Sequence, residues 1–266
     1  MLIDFWTYSC INCQRTLPHI EAWYSRYARD GLVVVGVHTP EFPFEHVVSD
    51  VRAQAASLGV RYPVAIDNAY ATWDAYDNEY WPSDYLVDSS GDIRHVHFGE
   101  GGYADTEQLI RKLLVAGHPN LRLPPPTAVP STTPAGAISP ETYLGYGRLQ
   151  YLTPASGLVQ GQPAVYHFPA ALPASRFALA GTWDIGAQAA TAGRSARLEL
   201  AFRARDIYLV AGGKGTMTVT AGGRTQTIRV GGVPKLYTLY KGPSTTSGVL
   251  RLHATSGVQA YDFTFG

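Results

Sequence analysis

Over residues 1–117, short apolar runs alternate with longer stretches in which apolar side chains recur at helical spacing. The runs at residues 1–5, 32–38, 62–66, 84–87 and 93–98 predict strands. The amphipathic stretches at 13–28, 45–58, 70–76 and 106–114 predict helices. Asp105 is placed to cap the last of these, and Gly31 and Gly59 to stop the first two. Ser89, Ser90, Gly91 and Asp92 read as a hairpin turn between two short strands. Strands that alternate with helices in this way predict an α/β layered fold.

The rhythm then changes twice. Residues 118–140 contain Pro119, Pro124, Pro125, Pro126, Pro130, Pro134 and Pro140, which favours an extended linker over a packed element. Beyond it, β-rich runs at 195–202, 206–210, 216–220, 226–230, 235–240, 249–253 and 259–265 are separated by Gly-rich breaks. No stretch there has the length and period of a helix, so residues 141–266 predict an all-β sandwich or jelly roll.

Composition sharpens this division. The 266-residue chain has 21 basic and 21 acidic side chains, so its formal charge is zero. Residues 1–118 hold 16 acids against 8 bases, while residues 119–266 hold 5 against 13. The basic residues of the second half, among them Arg197, Arg203, Arg205, Arg224 and Arg229, fall on separate strands and loops. That is not the clustered stripe a nucleic-acid partner requires, and none is expected. No run approaches the roughly 18 apolar residues needed to span a bilayer. The opening residues Met1 to Trp6 read as the interior of a strand, so the chain is expected to be the soluble portion of a longer, membrane-anchored parent.

With two cysteines there is neither a multi-bridge scaffold nor a four-cysteine zinc site. Cys10 and Cys13 stand between a predicted strand and a helix. Unsatisfied N–H groups and the helix dipole favour a thiolate there. Cys10 is therefore the expected nucleophile toward disulfides. Cys13, a helical turn further on and pointing inward, is placed to attack the mixed disulfide and release the product. Two bland alternatives are half a zinc site with His19 and His38, or an inert structural pair. Neither explains the surrounding residues. Asp4 lies six residues before Cys10 in a predicted buried strand, where an isolated charge is costly without a purpose.

Asp4, Phe5, Trp6, the Cys10–Cys13 pair, Pro18 five residues later, and Trp81–Pro82 before the strand at 84–87 together resemble the thioredoxin superfamily. The segment from Leu2 to Ser9 and that from Trp81 to Asp88 are most similar to its extracytoplasmic TlpA-like branch. The resemblance implies an α/β thioredoxin fold lacking its N-terminal strand or hairpin. It also implies a cis Pro82 beside the cysteines, Asp4 as proton acceptor for Cys13, and Trp6, Tyr8 and Trp81 on the substrate side. The redox-active disulfide Cys10–Cys13 then serves in place of any cofactor or metal. With its linker and β-rich tail, the whole chain resembles the C-terminal region of DipZ-type proteins, relatives of DsbD in which a CcdA-like membrane unit precedes this part. That implies a reductant of protein disulfides fed by a membrane thiol-electron donor of the CcdA/DsbD type. It also implies a carbohydrate-binding-module-like tail able to meet cell-wall glycan.

The β-rich half offers no acid pair or catalytic triad, since Glu141, Asp184, Glu199, Asp206 and Asp262 are scattered. Trp183, Tyr208, Tyr237, Tyr240 and Tyr261 are its candidates for stacking on sugar rings, although aromatics at strand spacing more often fill a core. Two readings of different class follow. The favoured one is a thiol-disulfide oxidoreductase, and the other is a cell-envelope binding module on a thioredoxin-like scaffold. A thiol peroxidase is the weaker third, because the motif is a vicinal pair.

Overall fold

The computed structural model describes residues 1–118 and 120–266; Pro119, assigned above to the linker, lies outside them. The described residues form two compact units, Met1–Thr133 and Pro134–Gly266.

The first unit is built on a mixed five-stranded sheet. Its strands are β1 (Leu2–Trp6), β2 (Val34–His38), β3 (Val64–Ile66), β4 (Ser83–Val87) and β5 (Ile93–Phe98), in the order β3-β2-β1-β4-β5. The helices are α1 (Ile11–Tyr27), α2 (Val48–Ser57), α3 (Ala71–Ala75) and α4 (Tyr103–Gly117). β1 runs parallel to β2 and antiparallel to β4, so it is central and every one of its residues is buried. Its sequence shows no polar alternation because both faces are covered. Ile3 and Phe5 pack on one face with Val37, Tyr85, Val87, Trp73 and Tyr76. Leu2, Asp4 and Trp6 point to the other. The strand and helix pattern implied an α/β layered fold, and this one has the thioredoxin-like form that the resemblance implied.

The helix boundaries shift from those expected, α1 opening at Ile11 rather than Cys13, and two of the other helices differ more. α4 starts earlier than Asp105 allows, with Gly102 at the cap in the left-handed region (φ 61°). The stretch at 45–58 divides into a 3₁₀ turn, Pro43–His46, and α2. The described proline-rich residues up to Thr133 form no regular element, yet they are tied to the first unit. Pro124 and Pro125 carbonyls accept from Arg111 (2.6 Å) and Arg26 (3.2 Å). The Glu107 carboxylate accepts from the Thr127 N–H and hydroxyl, each at 2.7 Å.

The second unit is all-β. β6 (Thr142–Tyr143), β7 (Pro163–Tyr166), β8 (Phe177–Ile185), β9 (Ala190–Ala192), β10 (Arg197–Gly213), β11 (Gly215–Ala221), β12 (Arg224–Val230), β13 (Lys235–Ala254) and β14 (Val258–Phe265) pair antiparallel throughout. β10 bonds β13 along its length, β8 through its first half and β14 through its second, so the sheet closes back on itself. Phe177, Trp183, Leu198, Leu200, Leu209, Met217, Leu250 and Phe263 lie in the enclosed core. The runs at 195–202 and 206–210 are one strand, and so are those at 235–240 and 249–253. Register shifts between Ala204 and Asp206 and between Ile207 and Tyr208 bend the long pair without breaking it. No helix among the described residues is long and apolar enough to cross a membrane.

Candidate active site

Cys10 caps α1 with extended backbone (φ −76°, ψ 119°), and its sulfur accepts the Cys13 backbone N–H at 3.2 Å. A donated N–H of this kind favours a sulfur carrying charge. Cys10 is half-exposed and Cys13 is buried. Burial pushes the Cys13 thiol well above the ordinary range, with the neighbouring Cys10 and the charge of Asp4 acting in the same sense. The spacing has thus set one sulfur at the surface and the other inside.

The Trp81–Pro82 peptide bond is cis. The Trp81 carbonyl lies 4.0 Å from the Cys10 sulfur, which brings residues separated by most of the first unit together. The half-buried Trp81 ring is fixed by its Nε1–H donating to the Thr39 carbonyl (3.0 Å) and by the Trp73 ring at 4.2 Å. Beside it, Tyr80 and Phe98 are about half exposed, and their ring centroids are 5.2 Å apart. This apolar rim next to Pro82 was not among the expected residues.

Asp4 is buried, and its Oδ2 accepts from the Tyr62 hydroxyl at 3.2 Å. Burial first and the neighbouring Asp84 second hold its carboxyl well above the usual range, and the Tyr62 bond opposes them. Tyr62 reaches Asp4 because Gly36, directly across from Asp4, has no side chain. A Cβ there would stand 2.8 Å from the Tyr62 ring and 2.9 Å from Trp6 Nε1.

Two of the three expectations on the substrate side need correction. Trp6 is fully buried, edge-on to His38, and Tyr8 is 1% exposed, stacked on the same ring. Both therefore support the cysteine loop from within, and of the three aromatics expected there only Trp81 borders it from outside. His38, named above as a zinc alternative, sits between these rings, and burial drives its pKa down to about 4. His19, its proposed partner, lies flat on Tyr103 at 3.5 Å.

Glu45 was also missed, because it acts across a loop. Its buried carboxylate accepts from the Ser9 N–H (3.3 Å) and hydroxyl (2.7 Å) and from the Glu41 (2.7 Å) and Phe42 (3.0 Å) N–H groups. It thereby pins the residue just before Cys10. Replacing Glu45 by alanine strands several buried donors, and the expected loss in a urea melt is about 2–4 kcal/mol. Glu45→Gln, which keeps one acceptor oxygen, should lose less.

The sugar-stacking candidates fare differently. Trp183 is fully buried and its Nε1–H is shared between the Ala180 (3.1 Å) and Arg197 (3.2 Å) carbonyls, which makes it a core residue. Tyr208 and Tyr261 are each 8% exposed and so have no open face for a ring. Tyr237 and Tyr240 are half-buried against the core.

Comparison with known proteins agrees with this geometry. Residues 1–96 match the AhpC/TSA family, and residues 139–266 match the thioredoxin like C-terminal domain family. The chain is 45% identical to Protein DipZ of Mycobacterium bovis over 269 residues, covering all of this chain and 39% of that protein. It therefore spans well under half the length of the DipZ proteins it matches. It is 32% identical over 113 residues to the thiol-disulfide oxidoreductase YkuV of Bacillus subtilis, covering 42% of this chain and 76% of that one. Among solved structures, a thioredoxin-like protein in its oxidised form is 31% identical with a TM-score of 0.40, covering 43% of this chain and 77% of the other. The chain belongs to the thioredoxin-like thiol-disulfide oxidoreductases, and both of its units are similar to the corresponding part of the DipZ proteins.

Proposed function

We propose that the chain reduces protein disulfides outside the cytoplasm, using the Cys10–Cys13 pair as its only redox group and no bound cofactor. The observation that carries this reading is the asymmetry of the sulfurs. Cys10 is accessible at a helix N-terminus beside the cis Pro82, and Cys13 is buried on the side of Asp4.

The Cys10 thiolate attacks one sulfur of a substrate disulfide. A Cys10–substrate bond forms and the other substrate sulfur leaves as a thiolate. Cys13 then gives its proton to Asp4, and its sulfur attacks Cys10, displacing the second substrate thiolate. Two electrons pass to the substrate and the pair becomes a disulfide. Trp81, with Tyr80 and Phe98 beside it, supplies an apolar rim on which an extended substrate segment can lie. Return of the electrons is assigned to a membrane dithiol donor of the CcdA/DsbD type, on the strength of the resemblance to DipZ proteins. The second unit takes no part in the chemistry. A cell-wall glycan ligand for it rests on Tyr237 and Tyr240 alone.

Alkylation of the reduced chain near neutral pH, followed by peptide mapping, tests the assignment. Cys10 should be labelled first and Cys13 only after unfolding. Faster labelling of Cys13 contradicts it.

A further inference from the structure

The sheet face that carries Asp4 holds a second buried acid. Asp4 stands opposite Gly36 on β2 and Asp84 on β4, and Asp84 stands opposite His97 on β5. Residues directly opposite in a sheet share a face with Cβ atoms about 4.5–5.5 Å apart. One row therefore runs Gly36, Asp4, Asp84, His97 across four strands. Asp4 is 1% and Asp84 4% exposed, and neither acid's Oδ1 has a hydrogen-bond partner among the described residues.

Two carboxylates this close in a dry interior resist ionising together and titrate as a pair. Resting on the reading that Asp4 takes the Cys13 proton, we propose that Asp84 is the second half of that base, a positioning residue that strengthens Asp4 by lying beside it in the row. In the resolving step the Cys13 S–H bond breaks and the proton passes to an Asp4 oxygen, which relieves the repulsion between the two carboxylates. The sulfur's electron pair forms the bond to Cys10, the Cys10–substrate bond breaks, and the substrate sulfur leaves as a thiolate. Burial holds Asp84, like Asp4, above the ordinary carboxylate range, in keeping with this arrangement.

Among the described residues, the titratable groups on the elements around the pair include Cys13 and Glu21 on α1, Tyr62 ahead of β3, His38 on β2, and His95 and His97 on β5, with Asp105 of α4 acting on His95. Of these, His97 stands directly opposite Asp84, so its contribution must be separated from that of Asp84.

The test uses the full chain, reduced and mixed with 5,5′-dithiobis(2-nitrobenzoate). Attack by Cys10 releases one thionitrobenzoate, and resolution by Cys13 releases the second. The midpoint of the pH dependence of the second phase should fall by about one unit in Asp84→Asn, because a like-charged neighbour is gone. The first phase should keep its profile. His97→Gln should leave the second midpoint in place, and a midpoint that moves with His97 but not with Asp84 overturns the proposal. An unmoved midpoint in Asp84→Asn, with both phases present, overturns the pairing alone. Absence of a second phase in the wild-type chain overturns the cysteine assignment and the pairing with it. Infrared titration of the wild-type chain guards against a variant that fails to fold. The buried carboxyl band should be lost in two separated steps as pH rises. Loss in one step, in the ordinary carboxylate range, overturns the proposal.

Discussion

Cys10→Ser should abolish turnover of protein disulfides, with a loss of roughly 10³-fold or more, because the hydroxyl is neither ionised nor able to form the mixed disulfide. Cys13→Ser should behave differently. Its first attack proceeds within a few-fold of the wild-type rate, and the reaction halts as a stable Cys10–substrate disulfide that a non-reducing gel or intact mass measurement detects. The difference follows from the geometry, in which only Cys10 faces solvent while Cys13 is buried. It also separates catalysis from binding. A cell-envelope binding module on a thioredoxin-like scaffold keeps its affinity in both variants, whereas an oxidoreductase loses turnover in both and traps substrate in one.

Asp4→Asn should make the first unit more stable at neutral pH, an increase that a urea melt reads directly. A carboxyl that is harder to ionise when folded than when unfolded costs about 1.4 kcal/mol for each unit by which its folded pKa exceeds its unfolded one, once pH is above both. Asp4 meets that condition, because burial and Asp84 raise its folded pKa well above 3.8. The sign is fixed by the raised value. Below pH 3.8 both states are protonated and the residue costs nothing, and the cost grows as pH rises from there through the folded pKa. The gain in the variant should therefore shrink to nothing near pH 4. His38 acts in the opposite sense, since its folded pKa of about 4 weakens the fold as pH drops below 6.5. Both proteins carry His38, so it cancels from the difference. Urea melts at neutral pH and near pH 4 measure the effect, and equal stability at both contradicts the burial argument. With Asp4 as the proposed proton acceptor, the same variant should also slow resolution.

Much of the site was legible in the sequence because its signals are local. The cysteine pair, the acid six residues earlier and the apolar run around them lie within thirteen residues of the N-terminus. The alternation of elements in the first unit was equally plain, since each helix is amphipathic and each strand short. What could not be read depends on juxtaposition across the chain. Asp84 becomes a partner of Asp4 only through antiparallel register, and Glu45 reaches Ser9 through a loop. Gly36 matters because Tyr62 fills the space its side chain would take. Trp6 and Tyr8 looked like surface residues of a cysteine loop, yet the central strand is covered on both faces and takes them inside. In the second unit, the long strands β10 and β13 were read as pairs of short ones because bulges interrupt the alternation without ending the pairing. Trp183 misled for a related reason, since an aromatic at strand spacing carries no mark of which face it occupies.

The most direct test of the central claim is a redox titration of the full chain in glutathione buffers, quenched with acid and read by intact mass. A two-electron dithiol reductant predicts a single transition between the dithiol and a Cys10–Cys13 disulfide. Its midpoint should lie nearer the thioredoxin value of about −270 mV than the DsbA value of about −120 mV. A glutathione adduct that never closes to the internal disulfide, or a midpoint at the oxidising end of that range, contradicts the account.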